Sequence, residues 1–204
     1  MRYAETHKDE THKTLLKAAA AQLRAQGPDR LSVAGVMKAV GLTHGGFYAH
    51  FKSKDALLVE TLGDIFARSR RRMARVLEGL PPKHALATYI DFYVAASHRD
   101  NLENGCPITA LNSDMPRQSK RFRALFESGV KGLAASLAER MTAAGIADAE
   151  KLSPSILSAM AGAVALSRTI SDPDLSDELL ASARAGIKAR LGLTDAALAS
   201  EQPQ

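Results

Sequence analysis

Apolar residues recur three and four positions apart along nearly the whole chain, and nowhere do they alternate with polar ones over a strand's length. That period belongs to amphipathic helices, and a chain written in it throughout buries its apolar surface by packing helix on helix. The expected class is all-α. Punctuation sets the helix lengths: Gly27-Pro28-Asp29, Gly41, Pro81-Pro82, Asn104-Gly105-Cys106-Pro107, Pro116, Gly145, Pro154 and Asp172-Pro173-Asp174 interrupt the pattern. A first helix over about 8–26 turns Leu15, Ala19 and Leu23 inward. A short second one follows Ser32, carries Val33, Val36, Met37 and Val40, and stops at Gly41. Thr43 caps a third with Phe47, Tyr48 and Phe51, and Ser53 caps a fourth reaching about Leu77. Beyond Pro81-Pro82 the pattern predicts helices over about 83–99, 107–114, 117–144, 153–171 and 175–192. The polar, Ala-rich stretch 195–204 is expected to fray.

Charge divides the chain where the prolines do. Residues 1–78 carry a net +6 and residues 79–204 a net −1, out of +5 overall. A basic head on a neutral body is the electrostatic footprint of a nucleic-acid binder. The 46% apolar and 24% charged fractions are those of a globular protein. No apolar run is long enough to span a bilayer, and the first residues lack the apolar core of a secretory signal, so a cytoplasmic protein is expected. With Cys106 as the single cysteine, no internal disulfide can form.

Two short helices separated by Gly41-Leu42 fit a helix-turn-helix, whose second helix offers its N-terminal residues to base edges in the major groove. Those residues are Thr43, His44, Gly45 and Gly46. Two glycines cost roughly 1 kcal/mol each inside a helix. Close approach of the backbone to DNA offsets that cost on one reading; on the other, a first turn simply tolerates them. Phe47 and Phe51 read as core. Tyr48 and His50 face outward toward phosphates, and Lys52 and Lys54 flank the start of the fourth helix, whose positive end also favours phosphate.

The segment from Lys13 to Leu57 resembles the DNA-binding domain of the tetracycline-repressor (TetR) family. The matching pieces are Leu15-Leu16-Lys17-Ala18-Ala19, Gly27, Leu31-Ser32-Val33, and above all the unbroken run from Val40 through Gly41-Leu42-Thr43-His44-Gly45-Gly46-Phe47-Tyr48 to Leu57. The resemblance implies a DNA-binding domain over about 9–69 with its helix-turn-helix at 32–51. It implies phosphate contacts from Ser32, Thr43, Tyr48, His50 and Lys54, with His44, Gly45 and Gly46 nearest the bases. The departure is Val33-Ala34-Gly35-Val36-Met37, where family members commonly carry Ile-Ala, and Gly35 there is expected to loosen the second helix.

For the remainder, about 80–194, the resemblance implies a helical signal-sensing bundle that pairs two copies through its last two long helices. Ala159, Gly162, Ala163 and Ala165 would give a small-residue surface, and Leu180, Ala183, Ile187 and Leu191 a facing stripe. The same residues also suit one monomer's core. Cys106, placed by Pro107 beside a helix start, is either a thiol of lowered pKa open to oxidants and electrophiles or a small buried hydrophobe. The Gly105-Cys106 pair is similar to the body of electrophile-responsive members of the family. A competing sensor is an apolar pocket, for which Phe66, Tyr89, Phe92, Tyr93, Met115, Phe122, Phe126 and Met160 are candidates, each equally readable as core.

The expected function is a sequence-specific regulator, in the family's habit a repressor. It would leave a palindromic operator on binding a small molecule or on modification at Cys106. No cofactor or metal is expected: His84 and His98 are fourteen residues apart, and no phosphate-loop motif is present. An enzyme is not expected, since nothing singles out a base for Cys106 as nucleophile. The alternative from another class is a basic helical interaction module acting through Arg68, Arg70, Arg71, Arg72 and Arg75 without reading sequence.

Overall fold

A computed structural model describes residues 2–76 and 78–199, without the side chains of 2–7 and 195. In chain order the elements are α1 (Arg2–Arg30), α2 (Val33–Ala39), a 3-10 helix (His44–Ala49), α3 (Lys54–Val76), α4 (Pro82–Tyr93), α5 (Ala96–Asp100), α6 (Pro107–Leu111), a 3-10 turn (Met115–Arg117), α7 (Lys120–Ala143), α8 (Ala149–Ser167), α9 (Pro173–Arg190) and α10 (Asp195–Ala199). No strand occurs among the described residues.

The chain forms two compact units, and neither is a continuous stretch. The first joins the residues up to Ala67 with Leu102–Gly129; the second joins Arg68–Asn101 with Val130 onward. In the first, α1 turns Leu15, Ala19 and Leu23 fully inward, and Val36, Met37, Phe47, Leu57, Leu62 and Ile65 complete a core with almost no exposure. Leu111, Met115 and Phe122, from what the sequence assigns to the body, are buried in this same unit. Each such side chain withdraws roughly 1.5–3 kcal/mol of apolar surface from water. In the second unit α8 packs along α9, and Leu133, Leu137, Met141, Ile156, Met160, Val164, Leu180 and Ile187 are buried.

Helix ends follow their caps. Gly41 closes α2 with φ 74, and the Leu42 N–H reaches back to the Met37 carbonyl at 2.9 Å, a left-handed stop that a residue with a Cβ would strain. Asp172 opens α9 by accepting from the N–H groups of Asp174 and Leu175 at 3.0 and 3.3 Å, with Pro173 in the first helical position.

Several expected boundaries move, each for a local reason. The helix expected over 83–99 breaks at Val94–Ala95, where a tertiary donor takes a carbonyl: Arg184 Nη1 donates to Val94 O at 2.6 Å, while at the far end of α5 Arg168 donates to His98 O and Arg99 O. The helix expected over 107–114 ends at Leu111, and Pro116 turns the chain into the short 3-10 turn. α8 begins at Ala149, ahead of Pro154, and the Ser153 hydroxyl leans at 3.5 Å toward the Glu150 carbonyl that a proline cannot bond. Residues 195–199 form α10 where fraying was expected, while 200–204 lie outside the described residues.

Candidate nucleic-acid interface

The steep turn after α2 delivers residues 43–54 to the surface with their apolar members held underneath. Phe47 and Phe51 are buried, their rings stacked 5.6 Å apart, and they anchor the segment. Thr43, His44, Gly45 and Lys52 are exposed, and Tyr48 stands 69% exposed, its ring edge-on to Phe47 with the ring centres 5.3 Å apart. An exposed aromatic fixed at its base by a buried one is costly in water and suited to a partner surface.

The element differs from expectation in form. Residues 44–49 wind as a 3-10 helix, in keeping with two adjacent glycines, and Thr43 makes no side-chain cap hydrogen bond. Its hydroxyl is thus not engaged in capping. Neither glycine has positive φ. A Cβ on Gly45 would meet nothing within 4 Å, and one on Gly46 only the Met37 methyl at an ordinary 3.5 Å. Nothing inside the chain requires glycine at 45.

The remaining expected contacts are partly occupied within the protein. Ser32 Oγ accepts from Gly35 N at 2.9 Å and Ser53 Oγ from Ala56 N at 3.0 Å, so each caps a helix whose free N–H groups lie beside the segment. Lys54 Nζ donates to Asp29 O at 3.4 Å, while Lys52 is exposed. Gly35 lies inside an unbroken α2 capped by Ser32. A Cβ there would fall 2.8 Å from Ser32 Oγ and 3.2 Å from Gln22 Oε1, so the glycine permits both the cap and the approach of α1.

His50 brings in residues that sequence reading missed. His12 of α1 stacks on Phe51 at 4.6 Å, lies 6.2 Å from the His50 ring, and meets Glu60 Oε1 of α3 with its Nε2 at 2.5 Å. Burial, followed by the nearby His12 and Lys8, holds the His50 pKa below the usual imidazole value. No periodicity signals this cluster, since its members come from three elements far apart in sequence.

Cys106 is the N-cap residue of α6, with Pro107 in the first helical position as expected, and it is only 8% exposed. Its segment is tied to the helix-turn-helix unit. α6 packs on α1, Arg24 Nη1 donates to Glu103 O at 2.7 Å, and Gln118 Nε2 donates to Asp29 Oδ1 at 3.1 Å. At the break in α1, Gly27 has φ 80, and a Cβ there would come 2.9 Å from Asp114 Oδ2.

The eight pocket candidates divide between the units. Phe66, Met115, Phe122 and Phe126 belong to the first; Tyr89, Phe92, Tyr93 and Met160 belong to the second. Phe92 lies at the surface, with the Arg72 guanidinium 5.1 Å from its ring centre. The second unit has an open groove of about 600 Å³ where α7 meets the start of α8, lined by Lys131, Ala134, Ala138, Glu139 and Thr142 among others, and none of the eight reaches it. Among the stripe residues expected to face a partner copy, Leu180, Ile187 and Leu191 are already buried in the chain's own packing. Ala163 is buried too, Ala159, Ala165 and Ala183 are half-buried, and Gly162 is exposed.

Among the described residues no helix is long and apolar enough to cross a membrane, and no three metal-binding side chains cluster. Residues 15–61 match the model of "Bacterial regulatory proteins, tetR family", and residues 82–177 match "Transcriptional regulator LmrA/YxaF-like, C-terminal domain". Over 62 residues the chain is 37% identical to YdgC of Bacillus subtilis, an HTH-type transcriptional regulator; the match covers 30% of this chain and 32% of that protein, about a third of the relative's length. Two crystal structures share its fold at low identity. NemR of E. coli in its reduced form superposes with a TM-score of 0.76 at 18% identity, over 88% of this chain and 96% of that one. A TetR transcriptional regulator of Chloroflexus aurantiacus gives 0.75 at 24%, over 94% and 97%. The chain therefore belongs to the TetR family of bacterial transcriptional regulators.

Proposed function

We propose that this regulator is a homodimeric repressor that grips a two-fold operator through residues 43–54 of each copy and lets go when an effector reaches its helical body. The observation that carries the proposal is the exposed row Thr43, His44, Gly45, Tyr48 and Lys52 over buried Phe47 and Phe51. Gly45 is in keeping with it: no described atom lies within 4 Å of where its Cβ would stand, so the backbone there is open to close approach by a partner. In this arrangement Thr43, Tyr48, His50, Lys52 and Lys54 hold phosphates, together with the helix ends capped by Ser32 and Ser53. His44, Gly45 and Gly46 lie against base edges.

Dimer formation falls to the face of α8 and α9 left open by their mutual packing: Ser158, Gly162 and Leu166 on one helix, and Leu175, Ala181 and Ala185 on the other. Leu166 and Leu175 are 55% and 51% exposed, which is costly for a monomer in water. Two copies related by a two-fold axis would match two half-sites.

The effector would be a small molecule or a reagent that modifies Cys106, and the protein would carry no catalytic chemistry of its own. A buried thiol reacts only when its surroundings open. An adduct at Cys106 would push its segment away from α1, and a shift of that kind within the unit of the helix-turn-helix would be the route to release.

The test is selection of duplexes from a random pool, followed by binding assays across salt concentrations. A palindromic preference that collapses in His44→Ala and weakens in Tyr48→Phe is expected, with affinity falling steeply as salt rises. Salt-sensitive binding with no sequence preference would replace the repressor by a basic interaction module. Repeating the assay with a mild electrophile on wild type and Cys106→Ser isolates the thiol; equal responses would assign release to a small molecule instead.

A further inference from the structure

We propose that the DNA-binding face contains a proton-linked phosphate site: His50, set against His12 and Glu60, takes up a proton as a backbone phosphate reaches its ring, so the protein holds duplex DNA more tightly as pH falls. The site deepens the function proposed above and rests on it.

Three elements build the cluster. His50 ends the 3-10 helix, and its ring is half-buried with Nδ1 enclosed and without a hydrogen-bond partner. Of its two ring nitrogens, that leaves Nε2 to meet a ligand from outside. From α1 come His12, with its ring centre 6.2 Å away, and Lys8. From α3 comes Glu60, which engages His12 Nε2 rather than His50. The 3-10 helix itself contributes His44 and no carboxylate. So Glu60 is committed to the other histidine, and the charges bearing on His50, from His12 and Lys8, are positive.

This arrangement keeps His50 neutral in the free protein, in line with its lowered pKa, whose first cause is burial and whose next causes are His12 and Lys8. A phosphate oxygen accepts from Nε2–H, and its full negative charge favours a second proton, taken from solvent onto Nδ1, at a site whose own neighbours otherwise repel it. The sign follows from linkage. The complex binds one proton more than the free protein between the two titration midpoints, so affinity rises as pH falls through that window and is flat above it. His12 acts as the brake: with Lys8 it opposes a positive charge on His50, and so helps set how far the pH must fall before His50 charges in the absence of DNA.

The experiment uses the full chain and a duplex of about three helical turns recovered by selection, or random-sequence duplex of that length if selection recovers none. Affinity is measured between about pH 7.5 and 5.5 for wild type, His50→Gln and His12→Gln, with the imidazole resonances of free and DNA-bound wild type followed by NMR. A gain of about tenfold per protomer in wild type, beyond whatever gain His50→Gln retains, is expected from one linked proton. In His12→Gln the pH profile should move to higher pH, because a cation facing His50 is gone. The His50 resonance should titrate at higher pH with duplex bound than without it. Equal pH slopes in wild type and His50→Gln, or a His50 resonance whose titration is indifferent to DNA, would overturn the proton link while leaving DNA binding intact. Folded protein that binds no duplex at any pH would overturn both the site and the function on which it rests.

Discussion

Gly129→Ala tests whether the packing of α7 on α3 in the first unit is as close as the backbone implies. A Cβ on Gly129 would fall well inside van der Waals contact with Cδ2, Cε2 and Cγ of Phe66, where ordinary contact begins near 3.4 Å. The ring or a helix must therefore shift by about 1 Å. Phe66 has little room to yield, being 2% exposed with its ring set edge-on against Phe126 at 5.5 Å. Overpacking of this kind costs about 1–3 kcal/mol. Replacing a helical glycine returns up to about 1 kcal/mol of backbone entropy. The expected net loss is about 1–2 kcal/mol, read as a lower urea midpoint at unchanged slope. Urea unfolding followed by far-UV circular dichroism on wild type, Gly129→Ala, Phe66→Leu and the double variant supplies a cycle, in which trimming the ring should absorb most of the alanine's cost. Gly63→Ala, on the same α3 with nothing within 4 Å of its Cβ, should instead stabilise by about 0.5–1 kcal/mol. If Gly129→Ala is as stable as Gly63→Ala, the close approach does not exist.

Gly45→Ala should raise stability by up to about 1 kcal/mol while lowering duplex affinity severalfold, since the methyl group meets nothing within 4 Å in the chain and, on the proposed binding mode, would meet DNA; urea unfolding and gel shift together read the two signs. Gly162→Leu should leave helicity intact and convert dimer to monomer in sedimentation, and a dimer of undiminished affinity would move the interface off this face of α8. His98 is held to a pKa of about 4 against an ordinary 6.5, chiefly by burial and also by Arg168 and Arg72, despite the Tyr93 carbonyl at 2.6 Å from its Nδ1. The unfolded chain therefore takes up its proton first. Stability is complete above pH 6.5 and is lost as pH falls toward 4, by about 3 kcal/mol, and His98→Asn should flatten that slope in urea titrations at stepped pH.

What the sequence determined is whatever depends on neighbours along the chain. The period of its apolar residues dictates helices, Gly41 dictates where α2 must stop, and Asp172-Pro173 dictates where α9 must begin, because each acts on the backbone within a turn of itself. The row of exposed residues after Gly41 is legible for the same reason: Phe47 and Phe51 are buried by helical spacing, and their neighbours are left outside. Only the tertiary structure could decide what depends on residues far apart. It placed 102–129 in the unit of the helix-turn-helix, and broke α4 from α5 by drawing Val94 O to Arg184. It also turned Leu180 and Ile187 into the chain's own core, and gathered His12, His50 and Glu60 at one point. None of these is a property of a stretch of sequence; each is a distance across the fold, set by which helix faces found one another.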